Sequence, residues 1–231
     1  MHGKRAITVH PRPLPRAIRD SALMKAGGCA TFDHLPGAGA CTRLLAESRL
    51  CLHGAVACAI ATSDEEEVRG GNPARRFISA GGGDEQAAFF HNPETARFLT
   101  GICNAPVRPT GESGTYTYYA RPGDHLALHR DIETCDIAVV TCLLDRHRDG
   151  STGGLMRFYP ERQHEPLSRI RATPGNGAVS VRLPVRSTMV MFGGLIPHLI
   201  EPLGPDELRI ASSLCFRVRA AEVTHEIDDA Q

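Results

Sequence analysis

Two short patterns in this chain place metal-binding residue types side by side: His129-Arg130-Asp131 and His147-Arg148-Asp149. An imidazole and a carboxylate two residues apart supply two of the three ligands of a facial iron site. One more histidine completes such a site and leaves positions open for substrate and oxygen. The first copy ends the stretch TYTYYARPGDHLALHRD, in which a β-rich run over 115–120 meets a Pro122-Gly123-Asp124 turn and re-enters an extended segment. Alternation along a strand puts His125, Ala127, His129 and Asp131 on one face and Leu126 and Leu128 on the other. The apolar pair then faces a core while His129 and Asp131 point into a cavity. The second copy lies in DRHRDGSTGG, a run of charges and turn formers without apolar alternation, and reads as a solvated loop. A kinase reading of His-Arg-Asp fails because Asp136 stands where that motif requires Asn, and no Gly-rich phosphate loop with its lysine accompanies it.

Several histidines follow residue 131 and compete for the third position. His164 sits in the polar PERQHEPLSR and His225 in the charged THEIDDAQ. His198, in MFGGLIPHLIEP, follows an apolar strand and a Gly193-Gly194 turn and has apolar neighbours on both sides. A lone histidine in such surroundings is commonly a satisfied core residue; beside the His129/Asp131 strand it becomes the ligand candidate. Eleven residues later Arg209 stands inside the apolar strand ELRIASSLCFRV. An arginine there is costly unless a partner neutralises it, and its fork suits a carboxylate. Arg217 shares its face by period two and is the alternative partner.

These residues need a scaffold of strands. From residue 115 onward, short β-rich segments alternate with turn formers, and strands are expected at 115–120, 125–130, 137–144, 155–159, 178–183, 188–192, 198–201 and 208–218. About eight strands after a helical N-terminal part fit a mainly β fold with flanking helices: a double-stranded β-helix, or jelly roll. The chain reads as a single domain over 1–231, with 1–110 a helical and extended part packing on the barrel and 115–218 the catalytic core. The first thirty residues, with Pro11, Pro13 and Pro15, read as an extended arm or edge strand. Leu44, Leu45, Leu50, Leu52, Val56 and Ile60 recur near helical spacing and predict a helix over 41–61. A second helix is predicted from Pro93, capped by Asn92, to about Ile102. The acidic run at 64–68 reads as solvated surface, and Gly81-Gly82-Gly83 as a loop without a phosphate-binding pattern.

At 231 residues and 42% hydrophobic content, one sizeable core is expected. A net charge of zero gives no electrostatic footprint for nucleic acid or an anionic membrane. No apolar run approaches the length of a membrane span, and the opening residues lack a secretory signal. Eight cysteines without a CxxC pair read as neither a disulfide framework nor a zinc site. Cys135, Cys142 and Cys215 read as small buried hydrophobes, in a reduced, cytoplasmic protein.

His129-x-Asp131, Gly153-Gly154-Leu155-Met156-Arg157-Phe158-Tyr159-Pro160, Val190-Met191-Phe192 leading to Pro197-His198, and Arg209-Ile210-Ala211 with Phe216 together resemble the Fe(II)- and 2-oxoglutarate-dependent dioxygenase superfamily. The prolyl-hydroxylase-like branch is closest in these motifs, and the resemblance spans roughly 119–216. It implies that His129, Asp131 and His198 hold iron and that Arg209 pairs with the distal carboxylate of 2-oxoglutarate. Tyr119 matches a tyrosine beside the cosubstrate, and Thr141 and Ser213 are further hydroxyl candidates. The implied reaction consumes O2, releases succinate and CO2, and hydroxylates a small molecule such as an amino acid or a natural-product intermediate. Halogenases of the superfamily carry a small residue where Asp131 stands, which favours hydroxylation. Desaturation, cyclisation and peptidyl hydroxylation use the same ligands, and a jelly-roll binding module with structural histidines is the non-enzymatic alternative.

Overall fold

A computed structural model describes residues 16–33, 35–63, 69 and 71–219. Short helices α1 (Arg16–Arg19) and α2 (Ala22–Lys25) lead into strand β1 (Cys29–Asp33) and the long helix α3 (Ala38–Cys51). Strands β2 (Val56–Ile60) and β3 (Arg75–Gly81) precede helices α4 (Asp84–Phe90) and α5 (Pro93–Cys103). Then come β4 (Val107–Pro109), β5 (Thr115–Tyr119), β6 (His125–His129), β7 (Ile137–Arg146) and β8 (Met156–Phe158). Helix α6 (Leu167–Ala172), β9 (Val179–Val181), β10 (Ser187–Met191), β11 (His198–Ile200) and β12 (Leu208–Val218) complete the chain.

The strands pair in the order β1-β10-β7-β12-β5-β3-β6-β11-β8-β9, with β2 on β3 and β4 on β12. The pairing is antiparallel throughout. The path curls on itself, so that residues of β7, β12 and β5 meet residues of β6, β11 and β8 around one cavity. This is the jelly roll that the spacing of turn formers predicts, and all eight strands expected from 115 onward form.

Alternation explains how one strand serves both core and cavity. On β5, Tyr116 and Tyr118 are buried against α3, where the Tyr116 hydroxyl donates to Glu47 Oε1 at 2.6 Å and the Tyr118 hydroxyl donates to the Ser48 carbonyl. Thr115, Thr117 and Tyr119 turn the other way, into the cavity. On β12, Phe216 packs edge-on against Phe90 of α4 at 5.0 Å, while Arg209, Ala211, Ser213 and Cys215 line the cavity. Burying each such aromatic stabilises by roughly 1.5–3 kcal/mol. Glu47 also ties the helical layer together, accepting from the backbone N–H groups of Gly83, Glu85 and Gln86 at the start of α4.

Four expectations need correction. The helix predicted over 41–61 ends at Cys51, and Val56–Ile60 is instead strand β2, paired with β3. After the Leu52–Gly54 turn, the β-branched Val56 and Ile60 gain a sheet edge that a longer helix would leave bare. The N-terminal part does more than pack on the barrel: β1 pairs with β10, and β3 pairs with both β5 and β6 along the edge opposite β2. Of the first thirty residues, 1–15 lie outside the described residues, and 16–25 form two helical turns followed by the edge strand β1. Cys135 and Cys215 are joined by a disulfide across 80 residues, and the other six cysteines are free. The second predicted helix forms at Pro93–Cys103, with the Asn92 side chain accepting from Glu94 N at 2.9 Å. The acidic run at 64–68 lies outside the described residues. Among the described residues, no helix is long and apolar enough to cross a membrane.

Candidate metal and cosubstrate site

His129 is the last residue of β6, and Asp131 follows it on an irregular segment held by its own N–H, which donates to the Gly193 carbonyl at 2.9 Å. His198 opens β11 and stands directly opposite His129 in the β6–β11 pair. The register of that pair shifts: His198 faces His129, but Ile200 faces Leu126. This bulge breaks the simple alternation of β6. Leu126 therefore lines the cavity together with His129, whereas Leu128 packs outside with Tyr159, Leu167 and Ile170. The expectation that Leu126 and Leu128 share a face is thus corrected; that His129 and Asp131 point together is found.

The three side chains form a compact donor set. Asp131 Oδ1 lies 3.5 Å from His129 Nε2 and 3.7 Å from His198 Nε2, and one ligand atom from each residue falls within 4.8 Å of the others. Nitrogen and oxygen ligands bind first-row metals at about 2.0–2.2 Å, so these separations put a single ion within reach of all three. Tautomers suit the task. His129 Nδ1 lies 2.9 Å from the Ala127 carbonyl, and His198 Nδ1 2.8 Å from the Ile196 carbonyl. A carbonyl only accepts, so both Nδ1 atoms carry a proton, and the Nε2 atoms, both turned toward Asp131, are the positions left for a metal. Burial lowers the His198 pKa to about 4, against the opposing pull of Asp131. His198 is then neutral at neutral pH, the form that ligates a metal. Burial pushes the Asp131 carboxyl up, but His198, His129 and Arg69 outweigh it and hold the group below the usual carboxylate range.

The second His-x-Asp copy is placed as its composition predicts. His147, Arg148 and Asp149 are exposed, and His147 Nδ1 lies 3.2 Å from Asp145 rather than near a second histidine.

Arg209 is 1% exposed and lines the same cavity as the triad. Its Nη1 donates to the Gly154 carbonyl at 2.7 Å, while Nε and Nη2 have no hydrogen-bond partner among the described residues. A buried cation with two unused donors carries a large desolvation cost. The arrangement fits an anionic oxygen acceptor inside the cavity. Arg217, the alternative partner, is exposed at the far end of β12. Tyr119 is the register partner of Arg209 on β5 and is 4% exposed. Burial raises its pKa despite the nearby Arg209 charge, so it remains a phenol able to donate. Ser213 also lines the cavity. Thr141 does not: it sits on the far face of β7, with its hydroxyl 2.9 Å from that of Thr188. Ala138 and Val140 of β7 line the cavity, so alternation turns Thr141 to the opposite face, level with Ser212 of β12.

Several residues that support the site give weaker signals in the sequence. Arg130, between His129 and Asp131, is 5% exposed and donates to the Leu195, Gln163 and Glu165 carbonyls, pinning the segments before His198 and α6. Its place between His129 and Asp131, on the opposite face by alternation, is the signal the sequence carries for it. Gly193 and Gly194 are more than a turn: a Cβ on Gly193 would stand 1.8 Å from Asp131 Oδ2, and one on Gly194 2.4 Å from Arg69 Cζ.

No protein-family model matches the sequence, and no curated protein matches it. Solved structures share the fold. A Pseudomonas putida prolyl-4-hydroxylase superposes with a TM-score of 0.57 at 16% identity, covering 88% of this chain and 98% of its own. The non-heme alpha-ketoglutarate-dependent epimerase SnoN from nogalamycin biosynthesis gives 0.61 at 18% identity, covering 88% and 87%. HygX from Streptomyces hygroscopicus, solved with nickel and 2-oxoglutarate bound, gives 0.58 at 12% identity, again covering 88% and 87%.

Proposed function

We propose that this protein is an Fe(II)- and 2-oxoglutarate-dependent oxygenase that hydroxylates a small molecule. The observation that carries this reading is one shared cavity. The His129/Asp131/His198 donor set opens into the same space as Arg209, a fully buried guanidinium with two donors left for a ligand. The likeness of fold to enzymes of this chemistry supports it.

In this reading the two imidazole Nε2 atoms and the Asp131 carboxylate hold Fe(II), and Arg209 takes the distal carboxylate of 2-oxoglutarate. Bound together, iron and 2-oxoglutarate supply an oxidation in which O2 is consumed, succinate and CO2 leave, and one oxygen atom enters the substrate. The chain's own work is positioning and dryness. The Tyr119 phenol, beside Arg209 on the neighbouring strand, offers the cosubstrate a neutral donor. Phe77, Leu126, Val140, Met156, Met191 and Ile200 form the apolar wall that excludes water. The cavity, about 220 Å³, is below the roughly 300–1,000 Å³ usual for ligand pockets. That size suits a cosubstrate and the reacting end of a substrate. Asp131 occupies a coordination position that a halide would need, which favours oxygen insertion.

The test is 2-oxoglutarate turnover with purified protein, read as succinate, with and without Fe(II), across a library of small molecules. Fe(II)-dependent succinate formation that His129→Ala and Arg209→Met abolish is the expected result. A folded protein that binds neither Mn(II) nor Fe(II) would instead make the jelly roll a binding module.

A further inference from the structure

Asp131 is the one member of the triad outside a strand, and the segment after it is tied to β12 at its far end, where Cys135 is bonded to Cys215 and Asp136 N–H donates to the Phe216 carbonyl. It runs from Asp131 to Asp136 before β7 begins, with one internal backbone bond, Cys135 N–H to the Ile132 carbonyl at 2.8 Å. A single side chain from far earlier in the sequence closes over this segment. Arg69, between β2 and β3, donates from Nε to the Asp131 carbonyl at 3.2 Å and from Nη2 to the carbonyls of Ile132 and Cys135, both at 2.7 Å. Its Nη1 pairs with Asp136 Oδ1 at 2.8 Å. The other oxygen of Asp136 accepts from Val218 N at 2.9 Å, on the strand that carries Arg209.

We propose that Arg69 is a positioning residue for the metal centre: its guanidinium clamps the 131–136 turn and so aims the Asp131 carboxylate at His129 and His198. The inference rests on reading the triad as a metal site. The geometry demands an arginine. Four acceptors spread over one turn are met by a planar fork, which a lysine's point charge cannot reproduce. Three of the four are backbone carbonyls, which would be left without this donor if Arg69 were truncated. Gly194 makes room for the clamp, since a Cβ there would stand 2.4 Å from Arg69 Cζ and Nη2. Its neighbour Gly193 both accepts from Asp131 N and leaves space for the carboxylate. The two glycines ahead of His198 thus admit the ligand and its clamp, one each.

The experiment measures Mn(II) affinity of the apo-protein by calorimetry, beside its melting temperature and its 2-oxoglutarate requirement. Outer partners of metal ligands typically contribute about 10–100-fold in metal affinity, and Arg69→Gln is expected to lose that much. The 2-oxoglutarate KM at saturating metal should stay near wild type, because Arg209 is untouched. Arg69→Lys should recover only part of the loss. Gly194→Ala should weaken Mn(II) binding by displacing the guanidinium, and adding it to Arg69→Gln should cost little more, since both act through one contact. Should Arg69→Gln fail to fold, Gly194→Ala and Arg69→Lys carry the same comparison. Mn(II) affinity within twofold of wild type in folded Arg69→Gln and Gly194→Ala would overturn the clamp while leaving the metal site standing. Failure of the wild-type protein itself to bind Mn(II) would overturn the metal reading and the clamp with it.

Discussion

Replacing Arg209 by methionine should move two quantities in opposite directions, and that contrast tests the cosubstrate site. Arg209 is 1% exposed and makes one hydrogen bond, to the Gly154 carbonyl, with Nε and Nη2 unused. In the ligand-free protein its charge is a burden. Replacing a buried ion pair by apolar side chains of similar volume is often neutral or stabilising by about 1–4 kcal/mol, and a guanidinium with no anionic partner has less attraction to lose. Part of that gain is offset here by the Gly154 carbonyl that loses its donor. The melting temperature without ligands should therefore hold or rise. The response to 2-oxoglutarate should collapse. With Mn(II) standing in for Fe(II), ligand at about 100 times its Kd stabilises the wild type by roughly 2.7 kcal/mol. At about 2–4 °C per kcal/mol for a chain of this length, the shift is roughly 5–11 °C. Removing the charge-assisted pair costs about 2–5 kcal/mol, a weakening of at least about 30-fold. The same ligand concentration then supplies under ~1 kcal/mol, a shift of roughly 1–3 °C. Differential scanning fluorimetry with and without 2-oxoglutarate reads both. An undiminished 2-oxoglutarate shift in Arg209→Met would refute the assignment. A steep fall in the ligand-free melting temperature would show that the arginine is a structural residue.

Three further outcomes are expected. Asp131→Ala should abolish Mn(II) binding measured by calorimetry while Asp149→Ala, in the exposed copy of the pattern, leaves it unchanged; the reverse would move the metal site to the second copy. Glu47→Gln should destabilise by about 1–3 kcal/mol at neutral pH, because the carboxylate accepts from Tyr116 and three backbone N–H groups. Those hydrogen bonds overcome burial and lower the Glu47 pKa. The stabilisation is then present above the ordinary carboxylate range and lost as pH falls through the lowered value, so chemical denaturation should show the mutant and wild type converging in acid. Reducing the Cys135–Cys215 disulfide should lower stability by about 2–4 kcal/mol, since it closes a loop of 80 residues; an unchanged urea midpoint under a dithiol would count against the bond.

Local pattern was sufficient to bring the candidate donor set together and for most of its strands. Side chains alternate in strands by covalent geometry, so a histidine and an aspartate two apart at the end of a patterned segment pointed to one face, and His129 and Asp131 do. Turn formers bounded the strands from 115 onward, and an arginine in an apolar run announced Arg209 as a residue in need of a partner. What failed were questions that pairing partners answer. Val56 and Ile60 continue a helical spacing on paper, but a vacant edge of β3 claims them as strand. Leu126 and Leu128 share a face in an ideal strand, yet the β6–β11 bulge separates them. Thr141 has a hydroxyl at a plausible place in sequence and spends it on Thr188 across the sheet. The disulfide joins cysteines 80 residues apart, and Arg69 reaches Asp131 across 62. Nothing in a local window reports such contacts, because they exist only once the sheet has curled and brought residues from both halves of the chain around one cavity.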